Sequence, residues 1–598
     1  MRGTVWCSVV LGIVECFCLI DSAVMASETK EAAGKEDKTA SVASLTIRGG
    51  LPETAGQLGL FGQIESNLPE LMRRLDQVAR DKDIGAVVLE IKNPAIGRGK
   101  VQELRGALQR IRQAGKRVVA ELQMGLTTDY LLACACDEIV MPESGSLMIP
   151  GVRAEVTFYK DLFDRLGIQA DMMQVGDFKG AAEPYTRNNM SPEFRQQYEM
   201  LLDDIYGQMI DTIAADRQLD PAKVRALIDV GLFTPDDALK AGLIDRVCYG
   251  DQKIGYLKET LGVDTIKLVK NYGKKKVDND FSGMLGMMKL FEMMLGGDSS
   301  KRASSRKKIA IVYATGMIMP GSSSSSLFGG ELLGSDTIVK AIRAAAADKT
   351  VVAVVLRVDS PGGSALASDL IWRAVRQCEK PVIASMGDVA ASGGYYISMG
   401  CDQIFAESGT LTGSIGVVGG KIPLQGLFGK VGISTDVISR GKNSGILSSE
   451  SPFTDSERAA WKKMMAEVYR QFVQKTAAGR SMPVDEIEQL AGGRVWTGQE
   501  AKKRGLVDET GTLRDAIAAA KKSANLAADE KVELLILPRP TSFFDQLVAG
   551  EAAIKVPVDT TAAALAPEML RRIGEVQQMR NLFREPVLFL MPHSVTIR

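Results

Sequence analysis

Ala390-Ala391-Ser392-Gly393-Gly394-Tyr395-Tyr396 follows the apolar run Pro381-Val382-Ile383-Ala384, and about thirty residues earlier Ser360-Pro361-Gly362-Gly363 follows Val351-Val352-Ala353-Val354-Val355-Leu356. Short apolar β-branched runs that end in glycine-rich turns read as buried parallel strands of an α/β protein. Such turns bring bare backbone N–H groups and a small hydroxyl to the rim of the sheet, where α/β proteins place their chemistry. Ser392 is therefore the candidate nucleophile. The backbone N–H groups of Gly393 and Gly363 are the candidate oxyanion donors.

Working outward, the 598-residue chain is too long for one core and predicts at least two large domains. Its 73 basic residues balance 73 acidic ones, so no basic excess is available to neutralise a nucleic acid. The sole histidine, His593, argues against a Ser-His-Asp triad and against a multi-histidine metal site. No metal or other cofactor is expected. A serine hydrolase of this composition needs a different base. Cys134 and Cys136 flank one alanine in an apolar run and read as buried small hydrophobes.

The two halves are copies of one another. Asp81-Lys82-Asp83-Ile84-Gly85-Ala86-Val87-Val88-Leu89 matches Asp348-Lys349-Thr350-Val351-Val352-Ala353-Val354-Val355-Leu356, and Cys136-Asp137-Glu138-Ile139 matches Cys401-Asp402-Gln403-Ile404. Thr234 to Asp245 likewise matches Thr497 to Asp508, at nearly constant spacing. Two tandem domains of one fold follow. The copies differ where chemistry would sit. Opposite Ser360-Pro361-Gly362-Gly363 stands Asn93-Pro94-Ala95-Ile96, and opposite Ser392-Gly393-Gly394 stands Thr127-Thr128-Asp129. Conversely, Lys179 in Gly176-Asp177-Phe178-Lys179 falls opposite Ser444. The first copy keeps a lysine without the nucleophile turn, and the second keeps the turn without that lysine. One complete site assembles only between them, with Lys179 as the base.

The organisation read from the chain is a leader at 1–26, a tether at 27–41, a first domain at 42–270, a Met-rich helix and linker at 271–307, a second domain at 308–540 and a tail at 541–598. The leader looks like an export signal, cleaved or retained as an anchor. Val101 to Gln113 and Phe194 to Ala215 read as helices, and the string Ser322 to Ser326 as a mobile surface loop. Met284 to Leu295 reads as a helix packed between domains, with a membrane- or peptide-facing surface as the sharper alternative. The tail suggests no mechanism.

At Ser-Pro-Gly-Gly (360–363), Ala-Ser-Gly-Gly-Tyr-Tyr (391–396), Leu-Thr-Gly-Ser-Ile-Gly (411–416) and Phe178-Lys179-Gly180-Ala181-Ala182-Glu183-Pro184, the chain resembles the signal peptide peptidase A family, also called protease IV, in its long duplicated form. The resemblance covers most of residues 40 to 545. It implies tandem Clp protease/crotonase-like domains, built as a repeated ββα superhelix with parallel sheets. It also implies a serine/lysine endopeptidase in which Ser392 attacks, Lys179 takes the proton and Ser414 orients the amine. Implied partners are cleaved signal peptides, the membrane and further copies of the chain, with a tetramer expected. The implied location is the cytoplasmic (inner) membrane, with the catalytic domains on its periplasmic side.

An exposed lysine is almost wholly protonated at pH 7. Burial lowers its pKa, whereas a carboxylate partner raises it. Asp177 and Glu183 should therefore point away from the amine. Two other functions compete: a crotonase-like enzyme acting on acyl-CoA, and a membrane-tethered assembly that binds unfolded segments without cutting them.

Overall fold

The computed structural model describes residues 38–54, 67–249, 252–274, 306–325, 331–430, 435, 437, 443, 445–538, 588–590 and 596–597. The readings placed on the leader, on most of the tether, on the Met-rich stretch and on most of the tail lie outside them. Among the described residues no helix is long and apolar enough to cross a membrane.

The β-branched runs form the strands that carry both halves. The first half contains β1 (Thr39–Arg48), β2 (Ile84–Lys92), β3 (Arg117–Leu122), β4 (Glu138–Met141), β5 (Asp171–Val175), β6 (Arg246–Val247) and β7 (Thr265–Lys270). All but β5 make a parallel sheet in the order β6-β4-β3-β2-β1-β7. The second half contains β8 (Lys308–Thr315), β9 (Met317–Met319), β10 (Val351–Ser360), β11 (Gly362–Ser364), β12 (Val382–Ala391), β13 (Gln403–Ala406), β14 (Leu411–Gly413), β15 (Val417–Lys421), β16 (Val495–Thr497) and β17 (Glu533–Leu537). Its main sheet runs β16-β14-β12-β10-β8-β17, with β13 also paired to β12 and only the β14–β16 pair antiparallel. Helices bridge successive parallel strands in both halves, so the fold is α/β with two tandem domains, as the duplicated sequence requires.

Matched residues do matched work. The helices Pro192–Arg217 and Asp455–Arg480 are each 26 residues long and end on a left-handed residue, Gln218 and Ser481, both at φ 53°. The last arginine of the first, Arg217, makes two bonds of 2.8 Å to Asp245, whose carboxylate also accepts the N–H of Ile139 at 2.8 Å. Arg480 pairs in the same way with Asp508, which accepts the N–H of Ile404 at 2.7 Å. Tyr130 and Tyr395 donate their hydroxyls to the carbonyls of Leu243 and Leu506 at 2.8 and 2.9 Å. Cys134 and Cys136 are buried in the first core, burial pushing the Cys134 thiol up to about 12.

The halves are joined through a third sheet. The strands of residues 324–325 and Glu331–Gly334 are followed in it by β9, β11, β18 (Leu588–Leu590), β15 and β5. β5 pairs antiparallel with β15 from Asp171↔Lys421 to Val175↔Val417, and Met173 on it packs into the second core. The first half thus threads a strand into the second. Part of the serine string is not a free loop: Ser324 and Ser325 pair antiparallel with Leu332 and Glu331, and Ser323 is tied to Gly334 and Thr337.

Candidate active site

The chain leaves β12 through Ser392, held at φ 56°, ψ −113°, and enters the short helix α4 (Gly393–Ser398); the helices α1 (Arg98–Gln113), α2 (Thr127–Ala133) and α3 (Pro192–Arg217) belong to the first half. A serine with positive φ is uncommon and costs on the order of 1–3 kcal/mol. Two backbone bonds hold it: its N–H donates to the Gly413 carbonyl at 2.7 Å, and its carbonyl accepts from Tyr396 at 2.8 Å. A Cβ at Gly393 would lie 2.6 Å from Ser368 Oγ and 3.2 Å from Gly363 N. The Ser392 turn and the 360–363 turn therefore meet through bare backbone. Ser360 lies opposite Ala390 across the β10–β12 ladder.

Lys179 arrives from the other half. It follows β5 by four residues, in the turn Gly176-Asp177-Phe178-Lys179. Its Nζ lies 2.8 Å from Ser392 Oγ, 2.9 Å from Ser414 Oγ and 2.9 Å from the Ser414 carbonyl oxygen. Lys179, Ser392 and Ser414 are each 0% exposed. Burial alone drives the Lys179 amine well below the usual lysine range. Glu183 faces elsewhere, accepting the N–H and hydroxyl of Ser191 at 2.9 and 2.5 Å. Among the described residues Asp177 makes no ion pair with the amine. All the residues singled out for the site, Ser392, Lys179, Gly393, Gly363 and Ser414, come together within one chain.

The sequence reading missed what receives the lysine turn. Gly492-Gly493-Arg494 lies against it: Phe178 donates to the Gly492 carbonyl at 2.8 Å, and the Arg494 guanidinium sits 4.2 Å over the Phe178 ring. Gly493, at φ 87°, could carry no side chain, since a Cβ there would fall 2.6 Å from the Lys179 backbone. The Arg494 carbonyl accepts the Ser414 N–H at 2.6 Å. On α3, Gln197 bonds both backbone groups of Val495, at 2.8 and 3.0 Å. The clue was present: opposite Gly493 and Arg494 the first copy carries Val230 and Gly231, another place where the copies differ.

A second feature was illegible. β18, from the tail, lies between β11 and β15, with Gly363 opposite Phe589 and Val418 opposite Leu588, both pairs antiparallel. An extended segment of this chain thus pairs with the backbone beside the 360–363 turn. Among the described residues no group of three or more His, Cys, Asp or Glu is arranged to hold a metal ion.

The model of peptidase family S49 matches residues 110–264 and again 374–527, once in each half. A chloroplastic serine protease SPPA of Arabidopsis thaliana is 35% identical over 545 residues, covering 91% of this chain and 78% of that protein. Protease 4 of Salmonella typhi is 30% identical over 497 residues, 79% of this chain and 76% of its own. A putative signal peptide peptidase SppA of Enterococcus faecium is 31% identical over 266 residues, 44% of this chain and 77% of its own.

Proposed function

The chain belongs to peptidase family S49, and on that premise we propose that it cuts peptide bonds with a serine–lysine pair, Ser392 as nucleophile and Lys179 as general base. Membership makes the chain a serine peptidase and sets aside the acyl-CoA and the non-catalytic readings. The observation that carries the pair is the 2.8 Å separation of Nζ and Oγ in a site where, among the described residues, no carboxylate lies beside the amine.

A neutral lysine amine has two N–H donors and one lone pair. The two donors suit the Ser414 hydroxyl and carbonyl oxygens, which leaves the lone pair for the Ser392 proton. As Oγ attacks the scissile carbonyl, that proton passes to Nζ, and the N–H groups of Gly393 and Gly363 receive the developing oxyanion. The ammonium then protonates the leaving amine. An acyl-enzyme remains, and water attacks it with Lys179 again as base. The Ser414 oxygens stabilise the transient ammonium without adding a formal charge.

Extended peptides are the substrates this site suits. β18 lies as an antiparallel strand beside Gly363, between β11 and β15, so the backbone at the 360–363 turn can pair with an extended segment. Signal peptides after their release are the proposed natural class, supported by the name of the Enterococcus relative. Assembly as a homo-oligomer, with a tetramer expected, and attachment at the outer face of the cytoplasmic membrane belong to the same proposal. They rest on the motif resemblance and on the leader pattern of residues 1–26.

The test is turnover of a synthetic signal peptide by the full chain, with cut sites read by mass spectrometry. Cleavage within the apolar segment, abolished in Ser392→Ala, is expected. Cleavage that survives in Ser392→Ala would overturn the assignment of the nucleophile. An intact peptide, with other unfolded peptides cut, would overturn the substrate class alone.

A further inference from the structure

The first half reaches the site at a second place. β10 and β12 run in regular register from Val354↔Val382 to Val358↔Met386, after which the register shifts so that Ser360 faces Ala390. The extra residues bulge at Gly387-Asp388-Val389, immediately before the nucleophile turn. Asp359, immediately before the 360–363 turn, closes this bulge by accepting the Val389 N–H at 3.1 Å.

Asp388 points out of the bulge into the first half. There the residue before α1, Gly97, has no side chain to cap the helix. The Asp388 carboxylate caps it instead, accepting the N–H of Gly97 at 3.1 Å and of Lys100 at 2.8 Å. The approach is so close that a Cβ on Gly97 would fall 2.3 Å from Asp388 Cγ. One turn along α1, Lys100 Nζ lies 3.2 Å from Asp359 and 3.3 Å from Asp388, with all three side chains less than a fifth exposed. At the spacing that aligns Lys92 with Asp359, Lys100 falls opposite Ala367. As with Lys179 and Ser392, each copy holds one part of this arrangement and lacks the other.

We propose that Lys100 is a positioning residue for the peptidase reaction, an ammonium from the first half that clamps Asp359 to Asp388 and so fixes the spacing between the oxyanion turn and the nucleophile turn. It touches neither Ser392 nor Lys179; it acts through the two aspartates and the bulge they close. Without it the two carboxylates would face each other across the bulge with their shared ammonium gone, and the turns they precede would separate. The cost falls on the transition state, which needs Ser392 Oγ and both oxyanion donors in register, more than on peptide binding. The inference rests on the assignment of Ser392 and Gly363 given above.

The test compares Lys100→Met, Lys100→Arg and the double variant Lys100→Met/Asp359→Asn with the full wild-type chain, measuring kcat, KM and melting temperature. Lys100→Met is expected to lower kcat about 10–100-fold with KM within about threefold. Lys100→Arg should recover most of the loss, and so in part should the double variant, which removes one of the facing charges. A folded Lys100→Met with wild-type kcat would overturn the clamp, provided Ser392→Ala and Lys179→Ala are inactive. Activity in those two would instead overturn the assignment beneath it. If Lys100→Met does not fold, Lys100→Arg and the double variant decide: a folded double variant no better than background would overturn the clamp.

Discussion

The turn that carries Ser392 has a counterpart in the first half of this chain, open in the second copy and shut in the first. In the second half Gly394 brings the turn against the 360–363 turn backbone to backbone; a Cβ there would lie 2.5 Å from the Ser360 carbonyl oxygen. In the first half Asp129 stands at that place. Its carboxylate accepts the N–H of Leu126 at 3.0 Å and of Asn93 at 2.9 Å, tying the same two turns together through a side chain. The residue before α2, Leu126, has ordinary extended backbone at φ −85°, ψ 174°, where Ser392 before α4 is strained. Duplication therefore supplied two equal scaffolds. One copy has a side-chain-capped helix start, and the other has a strained serine and bare backbone at the same place.

The sharpest way to break this division of labour is to remove its two halves in turn. Lys179→Ala and Ser392→Ala are each expected to cut kcat by about 10⁴-fold or more, with the double variant little worse, because a nucleophile and its base act as a unit. Steady-state turnover of a fluorogenic peptide checks this. A Lys179→Ala enzyme within tenfold of wild type would show that the first half supplies no base.

Gly393→Ala probes the openness of the second turn. The new methyl would press on Ser368 Oγ and the Gly363 N–H, and a loss of about 10²–10³ in kcat is expected, the usual scale for one oxyanion donor. KM should change far less.

The lysine also carries a stability signature that its opposite number, Ser444, cannot have. Burial holds the Lys179 pKa below its unfolded value of about 10.4, so between the two values the unfolded chain binds one more proton than the native one. Stability must then rise with pH across that window, and the cost of burying the amine is fully present below the folded pKa and gone above the unfolded one. Lys179→Met is expected to melt above wild type at pH 7 and to lose this slope, while being inactive. In wild type kcat/KM should climb with pH as the amine deprotonates, along a limb that starts below the ordinary lysine range. Melting curves and rate profiles from pH 6 to about 10 decide both.

The smallest effect belongs to the shut copy. Asp129→Ala leaves two N–H groups without their acceptor and should cost roughly 1–3 kcal/mol in chemical denaturation. Peptide turnover should stay within twofold of wild type.

Much of this was legible in the chain. The strands showed as β-branched runs, the tandem domains as a repeat, and the pairing of Lys179 with Ser392 as a complementarity between copies in a sequence with one histidine. What stayed hidden depends on contacts between distant residues. α1 reads as starting at Val101, yet it begins at Arg98 because its cap is Asp388, 291 residues beyond Gly97. Local signals did serve α3, where Ser191 caps Phe194 and Pro192 fills the first turn; the observed helix runs two residues further at each end than the pattern gives. The cradle at Gly492 and Gly493 is a backbone-to-backbone approach, which leaves no periodicity to read. β18 pairs with strands more than 160 residues away, and nothing in Leu588-Phe589-Leu590 names them.

The hydroxyl and the amine of the proposed pair sit 213 residues apart on a single polypeptide. No subunit encounter need precede proton transfer, so dilution cannot strip the nucleophile of its base. Specific activity per chain should hold as concentration falls through any dissociation of an assembly, unless the assembly serves a purpose other than completing this pair. Gathering both reagents into one molecule removes a second-order dependence, at the expense of a polypeptide roughly twice as long as one copy of the fold.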